Sequence, residues 1–260
     1  MGVTFSQFFP PPPTLTEANL PIQRGKVFVV TGGYSGVGLE LCTMLFQAGG
    51  SVYIAGRSEA KAESAMSQIK SLHPDSSGQL HFLPLSLDDL TTIKPAVDHF
   101  TSKESRLHVL FNNAGVSLPP KESTSKQGHE LSMATNCLGP YLLTQLFLPI
   151  LLQTAKMPSS ASVRVVWTSS IVVDLSAPRS GLHISELTNL PSNQQRNYLN
   201  SKTGNWFLAD ALAAQVADQG VLSFNAESGK FKNRTPETCA MDPRLSLESA
   251  IVSSEDGRVH

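Results

Sequence analysis

Cysteine is scarce in this chain: Cys42, Cys137 and Cys239 are odd in number and stand far apart. They build no disulfide framework and no CxxC metal knuckle, which suits a reducing compartment. A bias of charge is missing too. Lys and Arg number 20 against 21 Asp and Glu, for a net charge of −1, so no basic field marks nucleic acid as a partner. The 7 histidines show no ligand spacing, and no structural metal is expected. The N-terminus lacks a basic start followed by a long apolar run, which argues against a secretory signal. The most apolar window, Tyr141 to Leu152, is too short to cross a bilayer and contains Gln145 and Pro149. It reads as a buried or subunit-facing helix, with no transmembrane segment. What these absences leave is a cytoplasmic globule. With 260 residues, 40% hydrophobic and 16% charged, it holds one large α/β domain with a substantial core.

Residues 1 to about 24 read as an N-terminal arm in which Phe8-Phe9-Pro10-Pro11-Pro12-Pro13 favours extended polyproline. From Lys26 the pattern alternates. Val27 to Val30 suits a buried parallel strand. Val37, Leu41, Met44 and Leu45 recur at helical spacing, and Gly49-Gly50 ends that helix. Further strands are predicted at Val52–Ala55, Leu80–Leu85, Leu107–Phe111, Val163–Trp167 and Val221–Phe224. Helices are predicted at Glu59–Leu72, from an Asp88 or Asp89 cap toward Phe100, at Ser132–Leu152 and at Arg196–Val216. Strand and helix in alternation give a doubly wound parallel sheet of the Rossmann type, a three-layer αβα domain over residues 25–226.

Thr31-Gly32-Gly33-Tyr34-Ser35-Gly36-Val37-Gly38 follows the first strand and opens the first helix. Gly32 permits a tight turn, Gly36 lets backbone approach a pyrophosphate, and Gly38 allows close helix–strand packing. The helix N-terminus at Ser35, Gly36 and Val37 then offers free N–H groups to phosphate. Strand two ends in Ala55-Gly56-Arg57-Ser58, with no acid for a ribose 2′-hydroxyl. The Arg57 guanidinium suits a 2′-phosphate, and Lys61 adds charge one turn on, so NADP(H) is expected over NAD(H). Asn112-Asn113-Ala114-Gly115 ends strand four, where asparagines can bridge strand ends and line a cofactor cleft. Tyr198 and Lys202 are four apart on one helix face. A phenol is a poor base at neutral pH, and an ammonium one turn away stabilises its phenolate, so the pair can move a proton. Ser169-Ser170 follows strand five at the sheet edge where ligands bind.

Taken in this order, with Asn136 between them, these motifs resemble the short-chain dehydrogenase/reductase family from about Gly25 to Phe224. The resemblance implies a hydride exchanged between a nicotinamide cofactor and a small-molecule carbonyl or secondary alcohol. It implies a tetrad of Asn136, Ser170, Tyr198 and Lys202, with Ser169 the alternative serine. Asn136 is then expected to position a water linked to the lysine, and Lys202 to hydrogen-bond the nicotinamide ribose. Ser86 stands where relatives carry an Asp beside the adenine. The long connection from Ile171 to Arg196 is similar to the retinol-dehydrogenase-like branch, as in reductases of fungal specialised metabolism. Family members pair through the helices at Ser132–Leu152 and Arg196–Val216, which implies a homodimer or homotetramer.

After strand six the resemblance stops. Relatives place a Pro-Gly turn there, whereas this chain reads Asn225-Ala226-Glu227-Ser228-Gly229. Written GCT GAA TCC GGG AAA TTT AAA AAC CGA AC and read one base later, Ala226 onward becomes Leu-Asn-Pro-Gly-Asn-Leu-Lys-Thr-Glu. Residues 227–260 are therefore expected to be an out-of-frame, disordered tail, rich in Ser and Glu. The rival expectation is a dinucleotide-binding homologue with impaired catalysis.

Overall fold

A computed structural model describes residue 16 and residues 18–157, 163–178, 181–188, 192–216 and 218–226. The proline-rich start of the arm, Cys239 and the tail 227–260 lie outside the described residues. Six strands form one sheet: β1 (Val27–Thr31), β2 (Ser51–Gly56), β3 (Gln79–Pro84), β4 (Val109–Asn112), β5 (Val163–Thr168) and β6 (Val221–Ala226). All pairs are parallel, in the order β3-β2-β1-β4-β5-β6. The helices are α1 (Gly36–Gln47), α2 (Glu59–Leu72), α3 (Ile93–Thr101), α4 (Leu131–Ala155), α5 (Val172–Ser176), α6 (Ile184–Thr188) and α7 (Gln194–Val216).

Alternation along β1 builds both faces. Phe28 and Val30 join the core beneath α1 and α2, with Leu41, Leu45, Ile54 and Ile69. Val27 and Val29 join the other, with Phe100, Phe147, Trp167 and Leu212 from α3, α4, β5 and α7. The doubly wound αβα fold expected from the pattern is therefore present. Strand order reverses between β1 and β4, so their C-terminal ends open a crevice at the switch point.

Three local features depart from the simple pattern. Asp89, whose carboxylate accepts the Thr91 N–H, caps a short 3-10 turn at Leu90–Thr92 before α3 begins. The helix holding Asn136 is interrupted by a π turn at Ala134–Leu138. Leu131–Ala155 is also longer than predicted and passes the length and hydropathy test for a membrane span. However, 56% of its apolar window is buried within the protein, as in a core helix. Two short helices, α5 and α6, occupy the connection read from sequence only as a long loop.

Candidate active site

Thr31, the last residue of β1, ties the switch point together. Its Oγ1 donates to the Phe111 carbonyl at 3.2 Å and accepts the N–H groups of Asn113 (3.0 Å) and Ala114 (2.9 Å). The Asn113 amide donates to the Thr31 carbonyl at 2.9 Å. Asparagine at 113 thus bridges the two strand ends as expected. Asn112 does not. Its neighbour faces the crevice, so its own side chain points the other way. It is buried and donates to Thr144 Oγ1 on α4 at 2.9 Å, and it is absent from the cavity wall.

Gly32 has φ +66°, and a Cβ there would stand 3.2 Å from the Ala114 backbone. Gly36 has φ +54° with open space around it. A Cβ on Gly38 would lie 2.5 Å from the Gly32 carbonyl oxygen, so its bareness seats α1 against the turn. Ser35 makes no side-chain cap and the first turn of α1 carries no acid. The N–H groups at this helix start are left for a ligand, and its dipole favours an anion. The residues present fit a dinucleotide pyrophosphate.

A cavity of about 410 Å³ runs along the crevice. Tyr34, Gly56, Arg57 and Ser86 line one end; Asn113, Ala114 and Gly115 line the middle; Thr168, Ser169, Tyr198 and Lys202 line the other. Arg57 is exposed, with Nη1 3.6 Å from the Asp88 carboxylate. Ser86, which stands in for an expected acid, donates its hydroxyl to Asp88 Oδ1 at 2.6 Å. A carboxylate therefore reaches this end of the cavity from two residues further along. Lys61 is exposed on the first turn of α2 and lies outside the cavity wall.

At the far end Lys202 is 5% exposed, and its Nζ lies 5.9 Å from the Tyr198 ring centroid. Nζ donates to the Thr168 carbonyl at 2.9 Å. Burial pushes the Lys202 ammonium down to about 8, with Cys137 pulling weakly the other way. Gly115 makes room for it: a Cβ there would be 3.3 Å from Nζ. The buried Asn136 lies in the π turn beside the same region, and such turns are frequent at functional sites. Its Oδ1 accepts the Val116 N–H at 2.8 Å, and its amide donates to Val116 O (3.0 Å) and Ser201 Oγ (2.9 Å).

The two serines are placed differently. Ser169 is buried in the cavity wall and donates to the Lys202 carbonyl at 3.2 Å. Ser170 is half-buried and stands outside that cavity wall, and its oxygen accepts the Val172 N–H at 3.5 Å at the start of α5. Glu186 of α6 grips α7 close to Tyr198: it takes a two-pronged ion pair from Arg196 (2.7 and 3.0 Å) and the Asn200 amide at 2.8 Å. These contacts pull the Glu186 carboxyl down to about 2. The parts that Thr31, Tyr34, Asp88, Glu186 and Ser201 play at this site come from the structure and not from the sequence. Thr31 and Tyr34 lay inside the glycine motif, whereas the others depend on tertiary contacts.

The family description "short chain dehydrogenase" matches residues 26–181. A short-chain dehydrogenase/reductase of Phomopsis amygdali is 45% identical over 233 residues, covering 87% of this chain and 69% of its own. The short-chain dehydrogenase/reductase pkfC of Emericella nidulans is 43% identical over 221 residues, with 84% and 70% covered. Among solved structures, a Mycobacterium paratuberculosis protein superposes with a TM-score of 0.69 at 25% identity, covering 91% of this chain and 80% of its own. A metagenomic short-chain oxidoreductase solved with NADP shares the fold, with a TM-score of 0.61, 22% identity and coverage of 80% and 83%. The chain belongs to the short-chain dehydrogenase/reductase family of oxidoreductases. The family is one of nicotinamide-dependent enzymes that act on small molecules.

Proposed function

We propose that the protein is an NADP(H)-dependent reductase or dehydrogenase of a small carbonyl or secondary alcohol, in the branch that serves fungal specialised metabolism. The observation that carries this reading is that one cavity has the phosphate-ready start of α1 and Arg57 at one end and Tyr198 with Lys202 at the other. When bound, the nicotinamide supplies or accepts the hydride. Tyr198 moves the proton at the substrate oxygen, and the Lys202 ammonium favours the phenolate form. A hydroxyl from the Ser169-Ser170 pair holds that oxygen, and Asn136 fixes the Val116 backbone and Ser201 beside the lysine. Arg57 answers a 2′-phosphate, the guanidinium being a planar fork of donors. The free buried thiols of Cys42 and Cys137 suit a reducing cytoplasm. Exposed Tyr141 on α4 and Trp206 on α7 support association through those helices.

Titration with NADPH and NADH, followed by turnover assays on ketones and aldehydes, tests the reading. Tyr198→Phe is expected to cut turnover by about 100-fold or more, the usual worth of a positioned proton donor, while NADPH still binds. Arg57→Ala is expected to weaken NADPH by roughly 1.5–3 kcal/mol, a charged hydrogen bond, and leave NADH alone. Equal binding of both cofactors by the parent chain, or full activity of Tyr198→Phe, overturns the proposal. The absence of Pro-Gly after Asn225 favours a second reading, a cofactor-binding homologue with impaired catalysis. Tight NADPH binding with no turnover on any carbonyl would select it.

A further inference from the structure

Gly56 ends β2, yet its backbone does not call for glycine: its φ is not among the positive values found at Gly32, Gly36 and Gly49. What a side chain at position 56 would meet is Tyr34. A Cβ built on Gly56 would run into Cε1 of the Tyr34 ring and stand 3.0 Å from both Cζ and the phenol oxygen. That ring is partly buried against the core formed by Phe28, Val30 and Ile54, and it lines the cavity beside Arg57. Position 56 has a second meaning. In dinucleotide folds a carboxylate about 20 residues beyond the glycine turn holds the 2′-hydroxyl of an unphosphorylated ribose. The Tyr34 ring stands in the volume such a side chain would need.

We propose that Tyr34 is a specificity-determining residue: its ring occupies the seat of an acid at position 56 and so closes the NAD(H) solution, leaving Arg57 to recognise a 2′-phosphate. The inference deepens the NADP(H) reading and rests on it. Cofactor choice is then set partly by exclusion, a clash built against the competitor as well as an attraction for the preferred ligand.

The test is a double-substitution cycle read by cofactor binding, with thermal melts of every variant. NADPH and NADH are titrated by fluorescence into the parent chain, Gly56→Asp, Tyr34→Ala and the double variant. Parent preference for NADPH is the precondition; if that fails, the NADP(H) reading falls, independently of Tyr34. Given that preference, Gly56→Asp alone is expected to lose NADPH affinity and gain nothing for NADH. The double variant is expected to bind NADH about tenfold more tightly than Gly56→Asp does, the coupling typical of residues in contact. Where Gly56→Asp alone does not fold, folding of Gly56→Asp restored by Tyr34→Ala reports the same clash. The proposal is overturned if Gly56→Asp alone takes NADH as well as the double variant, or if Gly56→Asp misfolds equally in both backgrounds.

Discussion

Lys202 is a cation held almost wholly out of water, with a carbonyl oxygen and, among the described residues, no carboxylate as its hydrogen-bond partner. Its pKa, lowered from the ordinary 10.5 to about 8 chiefly by burial, measures the cost of keeping that charge inside. The folded value lies below the unfolded one. Between about 8 and 10.5 the unfolded chain therefore binds more protons, and stability rises with pH across that window. Lys202→Met keeps the stem and removes the charge, and Asn205 still donates to the Thr168 carbonyl at 3.1 Å. The variant is expected to be about 1–3 kcal/mol more stable at pH 7, the order set by a shift of this size. It should lose the rise toward pH 10 and turn over at least about 100-fold more slowly. Denaturant titrations at pH 7 and pH 9.5 check this; a less stable variant at pH 7 contradicts it. The Tyr-Lys spacing was legible in the sequence because one turn of helix dictates it. The fate of the adjacent asparagines was not. Asn112 and Asn113 share a residue type and a motif, and only the strand's alternation decides which faces the cavity and which bonds to Thr144.

Elements with a strong period were legible nearly to their ends. The helix read at Glu59–Leu72 is the one observed, with Ser58 accepting the Lys61 N–H as its cap. Every strand was found with an end extended by one or two residues or trimmed, as at β4, which begins at Val109 rather than Leu107. The connection between β5 and α7 was opaque because its helices are too short to carry a period. Each of α5 and α6 spans 5 residues. What fixes α6 is the grip of Glu186 on Arg196 and Asn200, a tertiary fact with no local signature. That grip anchors the connection to α7 two residues before Tyr198. The Glu186 carboxyl is depressed to about 2, so the clamp is fully present above the usual carboxylate range and fades only as pH falls toward that value. Glu186→Gln removes the ion pair but keeps one acceptor. Faster amide exchange is expected across Ile184–Thr188 and the first turn of α7, with KM raised several-fold and cofactor affinity unchanged. Exchange as slow as in the parent chain would mean that other contacts hold α6.

At the scale of the whole molecule, one twisted parallel sheet separates two cores and ends in β6, which among the described residues pairs only with β5. Leu222 on that strand is half exposed. A sheet edge left without a partner is a template for further pairing, so the sequence after Asn225 bears on stability as well as on catalysis. Read in the alternative frame, it supplies the Pro-Gly turn and a threonine at the cofactor end of β6, the strand beside the one that ends in Thr168 just before Ser169. Hydride transfer needs the reacting atoms held within about 3–3.5 Å, and small errors of placement cost on the order of 100-fold in rate. A version carrying the alternative frame after Asn225 is therefore expected to turn over NADPH about 100-fold faster than the present chain. It should also melt several degrees higher, and NADPH should raise its melting temperature further, since a ligand that binds only the folded state stabilises by mass action, by about 2.7 kcal/mol at one hundred times its Kd. Paired thermal melts with and without NADPH, beside turnover assays of both versions, provide the comparison. Equal rates and equal melts would assign residues 227–260 a closing role of their own, and the altered-frame origin of that segment would have to be abandoned.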